Sequence, residues 1–153
     1  MKINFLGLAT SVLAAVSVVS PLLAAADVPG VHPDYVQAMS DLRTAKRYLA
    51  RPDTPNAQAE EIKAMEELDF CLKDLLASAI VDGKNPAANP TVDAGFKGNR
   101  IARALELMGK AQVTISGRED DAAVLKARQS AIKHLAVAVN YTRMALGDDA
   151  QRK

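Results

Sequence analysis

The chain has 153 residues, 19 Lys+Arg against 18 Asp+Glu and a formal charge of +1. That near-neutral balance excludes the basic surplus that phosphate contacts to nucleic acid demand. Only 4% of residues are aromatic and none is Trp, so bases or sugars find few ring faces to stack on. One cysteine, Cys71, rules out an internal disulfide.

The first stretch, MKINFLGLATSVLAAVSVVSPLLAAADV, reads as a secretory signal peptide. Lys2 is its positive region, Ile3 to Val19 its apolar region, Pro21 a break, and Ala24-Ala25-Ala26 the small residues of a cleavage site. The predicted organisation is a cleaved signal over 1–26, a helical bundle over 27–147 and a flexible tail over 148–153. Cleavage removes Lys2 and no acid, so Lys+Arg falls from 19 to 18 and balances the 18 Asp+Glu. No second apolar run has the length needed to span a bilayer. The expected location is the periplasm, with no stable membrane span after cleavage, and the expected state is a monomer or weak dimer.

The first helix is predicted from Pro33, a proline suited to the first helical position, with Asp34 favouring the positive helix end. Tyr35, Ala38, Met39, Leu42, Ala45 and Leu49 then recur at spacings of three and four. ARPDTP stops the pattern, and Thr54-Pro55 restarts it with Glu60 and Glu61 near the new N-terminus. Ile62, Met65, Leu68, Leu72, Leu75, Leu76, Ala79 and Ile80 form the expected inward stripe of helix 2, which Asp82-Gly83 ends with a left-handed cap. KNPAANPTVDAG, residues 84–95, is the one long connection, and its two Asn-Pro steps keep it out of helix. Helix 3 turns Ile101, Leu105, Met108, Ala111 and Ile115 inward. SGRED makes a turn, and Glu119 or Asp120 is placed to cap a fourth helix that runs to Gly147.

Four amphipathic helices, two short turns and one longer link predict an all-α, antiparallel up-down-up-down four-helix bundle with the long loop between helices 2 and 3. HPDYVQAMSDLRTAKRYL, DGKNP and AIKHLAVAV together resemble an uncharacterised family of small exported bacterial four-helix-bundle proteins. The resemblance covers most of the chain beyond the signal and implies export and the bundle fold; it implies no activity. In that family the loop often carries a second His-Pro. This chain has Asn89-Pro90 there, which argues against a loop-based metal site.

Absent motifs narrow the chemistry. There is no Cys-x-x-Cys-His for covalent haem, no Glu-x-x-His pair for a di-iron bundle, no His-Glu-x-x-His, no phosphate-cradling Gly-rich loop and no Gly-x-Ser-x-Gly. Cys71 lies on a helix without a basic neighbour in sequence and reads as a small apolar residue rather than a nucleophile. His32 reads as a helix-start residue beside Pro33.

His134 stands out inside AIKHLAVAVNY. With the helix ends near Ala50, Pro55, Gly117 and Asp120 set at one height, His134 lies about 21 Å down helix 4. Val36, Asp69 and Arg103 fall at that level. Asp69 lies on the expected inward seam of helix 2, where a carboxylate needs a partner. The expected arrangement is a buried polar cluster of Asp69 and His134 with Tyr35, Tyr141 and Arg103, either fixing helix register or lining a pocket. The leading functional expectation is a non-enzymatic periplasmic protein that binds a small molecule or another periplasmic protein, with no catalytic residue, no metal and no cofactor.

Two alternatives use the same residues. The chain is similar in size and topology to periplasmic b-type cytochrome bundles, in which a Met of the first helix and a His of the last hold the iron. Met39 and His134 occupy those helices, which gives haem b, in a carrier or scavenger, as the alternative cofactor. Sparse aromatic lining and a packing role for Met39 weigh against it. Asp69 and His134 as an acid–base pair would make an enzyme, but no nucleophile or oxyanion donor accompanies them.

Overall fold

A computed structural model describes residues 32–51, 55–81, 96 and 98–150. The expected signal peptide, the Gly83 cap and the 84–95 loop lie outside the described residues. Four helices follow one another: α1 (Tyr35–Leu49), α2 (Pro55–Val81), α3 (Arg100–Ile115) and α4 (Ala122–Ala150). No strand occurs among the described residues, and the protein is an all-α four-helix bundle.

Side-chain caps set the helix starts. The Asp34 carboxylate accepts the Gln37 N–H at 3.0 Å, so α1 begins at Tyr35. Asn99 accepts from the N–H groups of Ile101 and Ala102 and starts α3. At α4 the cap is Asp121, whose carboxylate takes the Ala123 N–H at 2.7 Å, and not Glu119 or Asp120 as the sequence suggests. Glu119 is turned inward instead, for a reason given below. α4 also runs three residues past Gly147, to Ala150, where Asn99 donates to Asp149 at 3.2 Å and ties the end down.

The buried positions reveal the packing rule. Ala57, Ala64, Cys71 and Ser78 on α2 are buried at intervals of seven, as are Val124, Ala131, Ala138 and Ala145 on α4. α1 buries Ala38 and Ala45, and α3 buries Ala104 and Ala111, at the same interval. A seven-residue repeat keeps one face toward a partner helix, and small side chains on that face let backbones approach. Accordingly α2 lies most intimately against α4, and α1 against α3. Larger buried side chains at a second seven-residue interval, among them Tyr35, Leu42, Leu49, Leu68, Leu75, Ile101, Met108, Ile115 and Leu135, fill the space between the two pairs.

This rule corrects the expected face of α2. Leu68, Leu75 and Ala79 are inside, but Ile62, Leu76 and Ile80 are exposed, and Glu61, Cys71 and Ser78 are buried in their stead. The larger residues suggested a stripe centred near Leu72; the close approach of α4 draws the small-residue face inward.

The chain path differs from the expected one in a single step. Every contacting pair is antiparallel, as predicted. However, α3 starts beside the C-terminus of α1, since Arg100 donates to the carbonyl of Tyr48 at 3.0 Å. Glu119, just after α3, meets His32 and Tyr35 at the start of α1. α2 and α4 run antiparallel, with Glu67 opposite His134 and Lys63 over the Tyr141 ring. The order is therefore up-down-down-up, with α2 and α3 parallel across one diagonal and α1 and α4 across the other. Antiparallel pairing of α1 with α3 requires α3 to begin where α1 ends.

A buried ion pair marks the end at which α1 finishes. Arg100 and Glu61 meet at 2.7 Å with side chains 8% and 2% exposed, and Arg100 also reaches the terminal carbonyls of Tyr48 and Leu49. One guanidinium thus holds α1, α2 and α3 together while satisfying carbonyls that a helix end leaves open. Glu61→Ala is expected to destabilise the fold by about 3–5 kcal/mol, because it strands a buried charge. Glu61→Leu combined with Arg100→Met removes both charges and is expected to regain more than half of that loss in urea titrations. An equal or larger loss in the double variant would show that the charges themselves are stabilising.

Candidate functional site

The five residues expected to cluster around His134 are dispersed. Tyr35 is fully buried at the start of α1 and donates to Glu119. Arg103 pairs with Glu106 one turn along α3. Asp69 is 59% exposed and bonds Lys46 of α1. Tyr141 lies under Lys63, with Nζ 5.4 Å from the ring centre. His134 is 34% exposed, and its Nδ1 lies 2.7 Å from Oε2 of Glu67.

The expected Asp69–His134 pair is therefore replaced by two others, and helix geometry gives the reason. Each residue advances about 100° around the axis. With Leu68 inward, Glu67 and Asp69 fall on opposite flanks of α2. The Glu67 flank faces α4 and receives His134; the Asp69 flank faces α1 and receives Lys46. Shifting the inward stripe of α2 exchanges the two carboxylates. The heptad of Ala57, Ala64 and Cys71 is the sequence signal that would have selected Glu67.

Met39 is buried in the core, while His134 sits on the outer α2–α4 seam. Helices α1 and α4 face each other along a diagonal without backbone contact, so the two haem-ligand candidates do not converge on a shared slot. Among the described residues no group of three or more His, Cys, Asp or Glu is arranged to hold a metal ion. A surface cleft of about 320 Å³ lies elsewhere, on the α1–α2 seam, lined by Arg43, Lys46, Arg47, Ala50, Asp69 and Leu72.

A second buried polar cluster went unread in the sequence. The Glu119 side chain is fully buried. Its Oε1 meets Nδ1 of His32 at 2.7 Å and accepts the Asp121 N–H at 2.8 Å, and its Oε2 accepts the Tyr35 hydroxyl at 2.5 Å. The α3–α4 turn is thereby latched to the start of α1. This explains why Glu119 is unavailable as a cap for α4. Burial by itself pushes the Glu119 carboxyl up, but the Tyr35 hydroxyl, the Asp121 N–H and His32 outweigh it and hold it below the usual carboxylate value.

The outer seam of α2 and α4 also faces solvent. Phe70 is 53% exposed, and its ring lies 5.2 Å from that of His134 at a tilt of 30°. Val137 and Met144 are exposed seven residues apart on the same side of α4, Val137 three residues from His134 and four from Tyr141, and Met144 three from Tyr141. The Glu67–His134 pair and the Lys63–Tyr141 stack close the groove between the helices. The result is a relief of aromatic and aliphatic side chains on two helices. No helix among the described residues is long and apolar enough to cross a membrane.

Burial and hydrogen bonding shift the ionisation of Glu119 and Cys71. A carboxyl whose folded pKa is lowered adds stability that is present above its unfolded value, near pH 4.3, and lost as pH falls through the lower folded value. Glu119→Gln is therefore expected to be less stable at pH 7 and to show a flatter loss of stability on acidification below about pH 4.3; an unchanged acid limb would contradict the latch. The Cys71 thiol is fully buried and pushed up to about 12, first by burial and then by Asp74. At pH 8 it is expected to resist an aromatic disulfide reagent until the protein is unfolded, and rapid labelling of the native protein would contradict its core position.

No family model, curated protein or solved structure matches this chain.

Proposed function

We propose that this protein is a non-enzymatic helical bundle of the periplasm, exported through a cleaved signal over residues 1–26, that works by binding a protein partner through the outer seam of α2 and α4. The signal-like N-terminus and the resemblance to small exported bacterial bundles support the location and the family.

One observation carries the binding role. Phe70 stands 53% exposed beside the half-exposed His134–Glu67 pair, although the fold buries smaller apolar side chains on the same helix. Exposed aromatics on rigid elements are the usual anchors of protein interfaces. The non-enzymatic reading draws support from the inner polar groups. Glu61, Arg100, Glu119 and Tyr35 are engaged in ties between helices.

A photo-crosslinking residue at Phe70, with one at the exposed Val113 of α3 as control, tests the reading. In cells, position 70 is expected to give a discrete adduct that position 113 does not, and the adduct should be reproduced with the purified partner. Equal adducts at both sites, or none at either, would overturn it. Native mass spectrometry that finds haem or another small molecule retained in stoichiometric amount would replace it with a carrier role.

A further inference from the structure

We infer that the groove between α1 and α2 binds a single-chain organic oxyanion, with its head at Arg43 and Arg47 and its aliphatic chain along α2. The site lies on the flank of α2 that faces away from α4, and it does not depend on the α2–α4 reading.

Charge at the head is one-sided. The cleft of about 320 Å³ is lined by Arg43, Lys46, Arg47 and Asp69 together with Ala50 and Leu72, three cations against one carboxylate. Lys46 bonds Asp69 across the seam and ties the two walls together. Asp41, two residues before Arg43, is turned about 200° away around α1, where Gln37 donates to it. Glu66 and Lys73 lie further out on α2 and are opposite in sign, so they offset each other. Lys46 and Arg47 suit the negative end of α1, but that effect fades beyond the last turn. It does not account for Arg43 in a helix that ends at Leu49. Guanidiniums at i and i+4 share one helix face, and their donor forks match the oxygens of a carboxylate or phosphate.

The groove changes character along its length. Lys46 opposite Asp69 sets the register of the two antiparallel helices, which puts Arg43 level with Leu72 and Met39 level with Leu76. Beyond Arg43 the same flank of α1 carries Val36, Met39 and Ser40 and no charge. Facing it on α2, Leu72, Leu76 and Ile80 follow one another at one turn each. Leu72 is half-buried, Leu76 is 37% exposed and Ile80 is 61% exposed. A cationic end that runs into an aliphatic ledge matches a molecule with the same division, an anionic head and an apolar chain. An inorganic anion would use only the first end, and a neutral apolar molecule only the second.

Dimensions select the form of the ligand. Sites for organic molecules run from about 300 Å³ upward, and the cationic cleft reaches that size. The ledge from Leu72 to Ile80 extends about 12 Å along the helix axis. A single row of side chains takes one chain and not the two of a bilayer lipid. Because the cleft opens on the surface, the ligand exchanges with solution rather than being carried through purification.

Calorimetric titration of the full chain, purified as the exported protein, tests the site with decanoate as probe and acetate and decanol as controls. Decanoate is expected to bind one to one and at least about tenfold tighter than either, since acetate lacks the chain and decanol the charge. Decyl phosphate titrated in parallel shows which oxyanion makes the better head. Arg43→Gln with Arg47→Gln is expected to weaken binding at least about tenfold, with an unchanged helical spectrum. Lys126→Gln with Lys133→Gln removes the same charge from α4 and is expected to leave binding unaltered. Leu76→Gln should weaken decanoate at least about threefold. No saturable binding of either amphiphile, equal binding of decanol, or equal losses in the two charge variants would overturn the proposal. So would binding to phosphatidylglycerol vesicles without binding of the dispersed amphiphiles. None of these readouts involves Phe70. Failure here leaves the protein-binding seam standing, and absence of a Phe70 adduct leaves this site standing.

Discussion

The close antiparallel approach of α2 to α4, and of α1 to α3, is the constraint on which the rest of this bundle depends. Both pairs bury small side chains at intervals of seven: Ala57, Ala64, Cys71 and Ser78 against Ala131, Ala138 and Ala145, and Ala38 and Ala45 together with Ala104 and Ala111. Small residues give little apolar area each, so stability comes from intimate backbone approach and from the larger side chains packed between the two pairs. The antiparallel sense of α1 and α3 then dictates the chain path. It places the start of α3 at the end where α1 finishes, and the bundle is up-down-down-up rather than a meander.

Two buried polar ties give this packing its register. Apolar ridges of similar size tolerate sliding by a turn, whereas a buried charge does not, because a misplaced partner leaves it unpaired in a low-dielectric interior. Arg100 joins Glu61 and the last carbonyls of α1 at one end. Glu119 joins His32, Tyr35 and the Asp121 N–H toward the other. With both ends latched, the outer faces of α2 and α4 are presented at set heights.

Several local features were legible in the sequence. Asp34 precedes the first apolar stripe and caps α1, and Pro55 opens α2 where a proline costs no hydrogen bond. The α1 stripe of Tyr35, Ala38, Met39, Leu42, Ala45 and Leu49 is buried throughout, because its small and large residues lie on one arc. On α2 the two kinds of residue separate. Following Ile62, Leu76 and Ile80 leads to the wrong centre, and that rotation moves Asp69 into the place of Glu67 as partner of His134. The histidine had a carboxylate partner on α2, as a polar group on a helix seam demands, but both groups are half-exposed.

By itself, the sequence determined the helices and the four-helix class, because these follow from periodicity and hydrogen-bond partners within a few residues of each other. It did not contain, in any local pattern, which helix lies against which. That choice is a sum over whole faces, in which heptads of alanine on distant segments win by allowing the closest approach. Only the tertiary structure decided that Glu61 and Arg100 meet, that Glu119 latches to Tyr35, that Met39 and His134 point to different places, and that Phe70 remains outside. Each depends on residues separated by long stretches of chain, whose meeting is governed by helix order and direction rather than by any neighbour in sequence.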